Sequence, residues 1–282
     1  MVVKRISIYS ELEAQSPFSN DQLVLEVSNT YIVLMVKLAG KQQVDSFELF
    51  EFNKNNTDWY DIFYQVRTLS KILVKSYTDT RVYYNIVEAL VMPANKFSTT
   101  AADVYLEAVH GNNMNAVIKY DHVNSKESLI TVYRIQKPLF DMVNSNLMMV
   151  NARHTYSKLL EDIFTEDSVL EGEFLELRFY YGYFVGIVIK SGKLQLIQSY
   201  SFQTADDILY YLLSIAKQFQ LSTIETQVKV SGIIDSKSTE MDYIGKVFNI
   251  ISLNTEMPDL DFKKNSSGYP LHYFTPFLNL IV

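Results

Sequence analysis

Cysteine is absent from the 282-residue sequence. That excludes disulfides, thiolate zinc sites and cysteine nucleophiles, and it carries no information on redox compartment. Histidine is scarce as well. The four, His110, His122, His154 and His272, include no pair four residues apart with an acid between, so there is no zincin motif and no metal site is expected. Ser231-Gly232 is not a Gly-x-Ser-x-Gly elbow. Dense basic runs are missing too. Downstream of Lys4-Arg5 the only adjacent basic pair is Lys263-Lys264, and the net charge is −7, which argues against nucleic acid as a partner. The longest apolar run, Tyr31 to Val36, is far below the roughly 18–20 residues of a membrane helix. The opening Met1-Val2-Val3-Lys4-Arg5, with Glu11 and Glu13 soon after, lacks the apolar core of a signal peptide. The expectation is a cytoplasmic protein without membrane insertion. Tryptophan occurs once, and no low-complexity tract occurs.

What is present suits a packed interior. Hydrophobic residues make up 48% and charged residues 20%, which excludes the disordered class. The 20 Tyr and 17 Phe favour strands and half-wet surfaces, because a tyrosine buries a ring and keeps a polar tip. At roughly 100–200 residues per domain the length suggests two domains.

The chain repeats itself. Thr30 to Phe50 aligns with Gly182 to Phe202 at a constant offset of 152, without a gap. Seven of those 21 positions are identical: Tyr31/Tyr183, Val33/Val185, Val36/Val188, Gly40/Gly192, Lys41/Lys193, Gln43/Gln195 and Phe50/Phe202. A further β-type run precedes each copy, Gln22 to Ser28 and Glu173 to Tyr180. The breaks Ser28-Asn29-Thr30 and Tyr181-Gly182, then Gly40-Lys41 and Gly192-Lys193, suit tight turns, so each copy reads as a three-stranded antiparallel meander. A helix follows each. The first is expected to start at a Thr57 cap and carries Ile62, Val66, Leu69 and Leu73 at helical spacing. The second starts at Thr204 and carries Ile208, Leu212, Ile215 and Phe219. Strands Arg81 to Met92 and Thr226 to Gly232 come next, then helices Ser98 to Val109, capped by Ser98, and Ser236 or Lys237 to Val247. The repeated unit is β-β-β-α-β-α. Between the copies the pattern predicts strands Asn115–His122, Leu129–Ile135 and Met148–Asn151, and helices from Lys137 or Pro138 to about Asn146 and His154–Phe164. Glu166 to Gly172 reads as a linker, and a Ser-Ser-Gly turn lies in an irregular closing tail. The domains are placed at 1–167 and 168–282.

A duplicated unit of this order resembles the actin-like ATPase superfamily, with its ribonuclease H-like fold. Actin, the Hsp70 ATPase domain, sugar kinases and the pilus assembly protein PilM share that fold. The segments Leu25-Glu-Val-Ser-Asn-Thr-Tyr-Ile-Val, Val132-Tyr-Arg-Ile-Gln-Lys-Pro-Leu-Phe140, Asp207-Ile-Leu-Tyr-Tyr-Leu-Leu213 and Val230-Ser-Gly-Ile-Ile-Asp235 resemble an uncharacterised Bacteroidetes family, a domain of unknown function. The resemblance covers nearly the whole chain and implies an α/β fold of two domains around a cleft.

An actin-like ATPase grips phosphates with two hairpins, each carrying Asp-x-Gly. The Asp positions a metal, and the glycines let backbone N–H groups reach phosphate oxygens. Here the first turn, Glu26-Val27-Ser28-Asn29-Thr30, has no Gly and a displaced acid. The second, Leu177 to Gly182, has no acid and two tyrosines, Tyr180 and Tyr181. On the adenosine side Val228-Lys229-Val230-Ser231-Gly232 offers one glycine where a pair is usual. The chain therefore reads as a pseudo-ATPase without cofactor or catalytic residue. Its expected role is a binding or scaffold protein whose partner is another protein or a peptide, as the resemblance to PilM implies. The alternative is a nucleotide or small phosphorylated ligand in the interdomain cleft, held by Ser28, Asn29, Thr30, Ser231 and Gly232, small polar turns that still offer N–H groups. Asp206-Asp207 reads as a helix N-terminus. The pairs Tyr83-Tyr84, Tyr180-Tyr181 and Tyr210-Tyr211 read as packing.

Overall fold

The computed structural model describes residues 1–9, 18–41, 43–53, 58–125, 127–165, 172–256, 262, 266 and 268–281. The chain divides into two compact units. One comprises Met1–Glu161, Pro258–Ser267 and Leu280–Val282; the other comprises Asp162–Met257 and Gly268–Asn279.

The first unit opens with β1 (Val2–Tyr9), β2 (Phe18–Val27), β3 (Tyr31–Lys37) and β4 (Val44–Phe52). Strands β2, β3 and β4 form the expected antiparallel meander. β1, which the sequence pattern did not give, pairs antiparallel with β4. Its Lys4 ammonium forms an ion pair with the buried Glu48 carboxylate at 2.9 Å. All but the last residue of β3 are buried, as an apolar strand covered on both faces must be. Helix α1 (Trp59–Leu69) buries Trp59, Ile62, Phe63 and Val66. Asp58 stands at its N-cap without a side-chain cap bond, and Thr57 lies outside the described residues.

Next come β5 (Ser76–Tyr84), β6 (Ala89–Pro93), α2 (Ala102–His110), β7 (Ala116–Val123), β8 (Leu129–Gln136), α3 (Lys137–Asn146), β9 (Val150–His154) and α4 (Thr155–Ile163). The expected single strand Arg81–Met92 is two strands in different sheets: β5 pairs parallel with β2, whereas β6 pairs with β8. The break falls at residues 85–88, which contain neither Gly nor Pro, so composition did not signal it. There the Asn85 amide donates to the Val27 carbonyl at 2.8 Å. The segment from Ser98 starts as a 3₁₀ turn, Thr99–Ala101, before α2, and Ser98 makes no cap bond. Its hydroxyl lies 3.0 Å from that of Thr100.

The second unit carries β10 (Glu173–Tyr180), β11 (Tyr183–Lys190), β12 (Lys193–Ser201), α5 (Ala205–Phe219), β13 (Gln227–Gly232), α6 (Thr239–Val247) and β14 (Ile250–Leu253). A capping box starts α5: the Asp207 amide donates to Thr204 Oγ1, and Asp207 Oδ2 accepts the Thr204 amide at 2.9 Å. Ser238 caps α6, which starts at Thr239, two or three residues after the expected start at Ser236 or Lys237. Leu175, Leu177, Phe179 and Val230 pack under Ile208, Leu212 and Ile215 of α5 and Ile244 of α6.

The duplication is visible in the strand order. The large sheet of the first unit runs β1-β4-β3-β2-β5-β9 and that of the second β12-β11-β10-β13-β14. Without β1 the two orders correspond, each a meander followed by two parallel strands. In both units a helix directly precedes the last parallel strand, α3 before β9 and α6 before β14. The β-β-β-α-β-α order therefore holds twice, but α3, not the segment 98–109, is the second helix of the first copy. β6, α2, β7 and β8 are an insertion forming a third sheet, β6-β8-β7. Among the described residues no helix is long and apolar enough to cross a membrane.

Candidate functional site

In the first unit Glu26 sits one residue from the end of β2, between Val33 of β3 and Tyr83 of β5. Sheet neighbours on both sides bury it completely. A carboxylate there needs donors, because an unsatisfied buried charge costs far more than a satisfied one. It accepts from the Tyr31 hydroxyl at 3.0 Å, Asn85 Nδ2 at 3.1 Å and Thr155 Oγ1 at 2.9 Å. Asn85 Nδ2 also donates to the Tyr31 hydroxyl at 2.8 Å.

The turn that follows is closed on itself. Ser28 Oγ accepts the amides of Thr30 and Tyr31, each at 3.1 Å, and the Ser28 amide donates to the Tyr31 carbonyl at 3.0 Å. Ser28 is buried, Thr30 half-buried and Asn29 exposed. Two amides of the kind that would cradle an anion are thus already satisfied by a serine hydroxyl.

In the second unit the offset of 152 carries Glu26 onto Arg178, Ser28 onto Tyr180 and Thr30 onto Gly182. The sheet register agrees: Glu26 lies opposite Val33, and Arg178 lies opposite Val185. One copy therefore holds a buried acid where the other holds a buried base. Arg178 Nε donates to Glu176 Oε1 at 2.7 Å, with side-chain exposures of 2% and 3%. Ser231 of β13 is the parallel-register neighbour of Arg178. Among the described residues neither Ser231 Oγ nor Arg178 Nη1 has a hydrogen-bond partner. Gly232 has φ +89°, and a Cβ there would lie 2.0 Å from the Phe179 carbonyl oxygen, so this glycine answers to close strand packing. Tyr180 stacks on Tyr183 with ring centroids 5.1 Å apart. Sequence reasoning missed the Glu176–Arg178 pair, although two charges in Phe174-Leu175-Glu176-Leu177-Arg178-Phe179 are its signal.

The structure places Ser28, Asn29 and Thr30 together in one turn of the first unit, and Ser231 and Gly232 together at the end of β13 in the second. The histidines are dispersed. His154 is fully buried; its Nδ1 accepts the Tyr156 amide at 3.0 Å, so Nε2 carries the proton toward the Ile86 carbonyl, also at 3.0 Å. Burial pushes its pKa down to about 3. Asp121 accepts from the His154 amide at 2.7 Å, Ser157 Oγ at 2.8 Å and the Tyr133 hydroxyl at 3.2 Å, while burial raises its carboxyl above the usual range. Ser157 donates to an acid, not to the imidazole, so these residues form no nucleophile–base pair. His272 is buried with Nε2 at 2.8 Å from the Ile234 carbonyl, and His110 Nε2 lies 3.4 Å from that of Ala89. Asp207 is held below the usual carboxylate range by the amides of Gln203 and Thr204 in its capping box. Among the described residues no three metal-ligating side chains gather.

Two sheets of corresponding strand order, each a meander followed by two parallel strands, match the actin-like ATPase fold, and solved structures share it. A Bacteroides thetaiotaomicron protein with an actin-like ATPase fold and unknown function superposes with a TM-score of 0.75 at 16% identity, over 87% of this chain and 95% of that one. PilM, solved in the PilM–PilN type IV pilus biogenesis complex, gives 0.60 at 10% identity, over 92% of this chain and 96% of that one. The ethanolamine utilization protein EutJ from Carboxydothermus hydrogenoformans gives 0.50 at 9% identity, over 97% and 92%. No curated protein matches the sequence. Residues 13–250 match the family described as protein of unknown function DUF3822, and the chain belongs to that family.

Proposed function

We propose that this chain is a non-catalytic binding or scaffold protein on a degenerate actin-like fold, and that its partner is another protein. The observation that carries this reading is the self-closed first turn. Ser28 Oγ occupies the Thr30 and Tyr31 amides, and Glu26 is committed to Tyr31, Asn85 and Thr155. Metal and phosphate positioning, on which phosphoryl transfer rests, would require both to be released. The 1–167 and 168–282 division is retained as the proposed domain boundary. That PilM was solved with PilN supports a protein partner by likeness of fold alone.

A second reading is a small phosphorylated ligand or nucleotide held by Ser28, Asn29, Thr30, Ser231 and Gly232. Two buried donors without partners among the described residues, Arg178 Nη1 and Ser231 Oγ, on paired positions of β10 and β13, favour an anion in the second unit. Thermal unfolding with and without millimolar ATP–Mg²⁺ separates the two. A ligand that binds only the native state at ~100-fold its Kd adds roughly 2.7 kcal/mol, a shift of several degrees. The scaffold reading expects no shift. A clear rise, lost on Arg178→Met or on Ser231→Val, would overturn it in favour of the second.

A further inference from the structure

We infer that the first unit takes up an extended peptide as an added strand between β9 and β7. This rests on the binding-protein reading above and names the site and the chemistry of the partner segment.

The argument begins with two open edges. Among the described residues β9 is the last strand of the large sheet, paired only with β5, and β7 is the last strand of the inserted sheet, paired only with β8. An unpaired strand edge is a template for a further strand. At one end the two edges are joined. The His154 amide donates to Asp121 Oδ2 at 2.7 Å, and Arg153 Nη2 donates to the His122 carbonyl at 3.1 Å. These bonds reveal which backbone groups look outward. Backbone groups alternate sides along a strand, so Ala152 and Val150 share the outward side with His154, and Tyr120 shares it with His122.

Beside the joined end lies a cavity of about 320 Å³, lined by residues of both edges, Asp121 included, and by Phe140 and Asn144 of α3. Ala152 lines it from β9 and Tyr120 from β7. Its walls carry the rings of Tyr84, Tyr120, Tyr133 and Phe140 beside the polar ends of Lys119, Asp121 and Asn144. The Tyr84 hydroxyl is buried and has no hydrogen-bond partner among the described residues. A buried hydroxyl without a partner costs free energy that an occupant's carbonyl would recover. Lys119 lies 5.4 Å from the Phe140 ring centroid, and among the described residues no carboxylate pairs with it. The carboxylate of the wall, Asp121, is already committed to three donors. Among the described residues the site therefore offers one cation without a carboxylate partner, one buried hydroxyl without a hydrogen-bond partner and two lines of backbone groups. That matches an extended segment with an Asp or Glu placed for Lys119, held by main-chain bonds as in strand addition.

The test is selection of a phage-displayed library of random octapeptides on the purified full chain. The best peptide is then synthesised and measured by fluorescence anisotropy. Enriched peptides are expected to carry an acid at one fixed position, and Lys119→Glu should exchange that preference for Lys or Arg. Ala152→Pro removes one outward N–H at an edge that tolerates proline, and should weaken binding at least tenfold. Tyr84→Phe should weaken it several-fold. Hydrogen exchange on the unmodified protein is the check independent of any variant: the amides of Tyr120 and Ala152 should slow on binding. Absence of enrichment, equal binding to all variants, or protection elsewhere in the chain would overturn the proposal. So would Lys119-dependent binding of benzoate without any peptide, which would make this a small-molecule pocket. Each of these results leaves the scaffold reading intact, whereas an ATP-induced thermal shift strikes that reading and not this site.

Discussion

At the scale of single residues, buried charges are the most exacting feature of the chain. Arg178 and Glu176 neutralise each other in the interior of the second unit at 2% and 3% exposure. Removing one partner leaves the other charged and buried, which costs about 3–5 kcal/mol, whereas replacing both by apolar side chains costs much less. Arg178→Met should therefore destabilise strongly in urea unfolding, and Glu176→Met/Arg178→Met should restore most of the loss. A single variant that costs under about 1 kcal/mol would show that the pair is not isolated from water. His154 makes a second prediction. Burial depresses its folded pKa to about 3 against an ordinary value near 6.5, so below pH 6.5 the unfolded chain binds a proton that the folded chain refuses. Its contribution to stability is lost as pH falls from about 6.5 toward 3, by about 2 kcal/mol between pH 7 and pH 5. Asp121, raised by burial, acts with the opposite sign. The His154 effect is therefore read as the difference in pH slope between the wild type and His154→Gln; identical slopes would refute it.

At the scale of elements, Gly232 shows how a strand end constrains a position chosen for other reasons. A Cβ would meet the Phe179 carbonyl at 2.0 Å, and φ is +89°. Gly232→Ala should cost more than about 3 kcal/mol through strain and displacement of β13 from β10, visible as a large fall in Tm. A small cost would mean that the strands part easily. The glycine was legible in the sequence as a candidate ligand-binding position, but its packing role was not, because no spacing rule reports what lies across a parallel ladder. β10 and the Thr204 cap of α5 were legible because alternation and cap chemistry are local. β1 escaped because Lys4, Arg5 and Ser7 interrupt its apolar residues, and pairing with β4 supplies what its pattern lacks. The short β14 escaped because four residues carry little periodicity. The first hairpin turn was found by position, yet the closure of its amides on Ser28 is a matter of side-chain geometry. The groove between β7 and β9 could not be read at all, since it arises only when the edges of two sheets approach.

For the whole molecule the duplication makes a quantitative claim. The second unit builds its five-stranded sheet with β13 and α6 joined directly by residues 233–238. The first unit joins the corresponding β5 and α3 through the insertion β6, α2, β7 and β8. If the two units are copies of one plan, the insertion is dispensable to the plan and necessary to the groove. Replacing residues 86–136 by the sequence of residues 233–238 should leave a chain that still unfolds cooperatively. Stability should fall, because the His154 ring loses the Ile86 carbonyl, and the His154 amide and Ser157 both lose Asp121. Those three orphaned groups cost about 1–3 kcal/mol each, within reach of a domain of ordinary stability. Ser157→Ala in the shortened chain should recover part of the loss. Far-ultraviolet dichroism during urea unfolding decides the matter. A single cooperative transition at lower denaturant would support the copy relation, with loss of peptide binding expected in the same protein. A broad, non-cooperative loss of signal would mean that the inserted sheet has become part of the first unit's core, and that the two halves no longer share one plan.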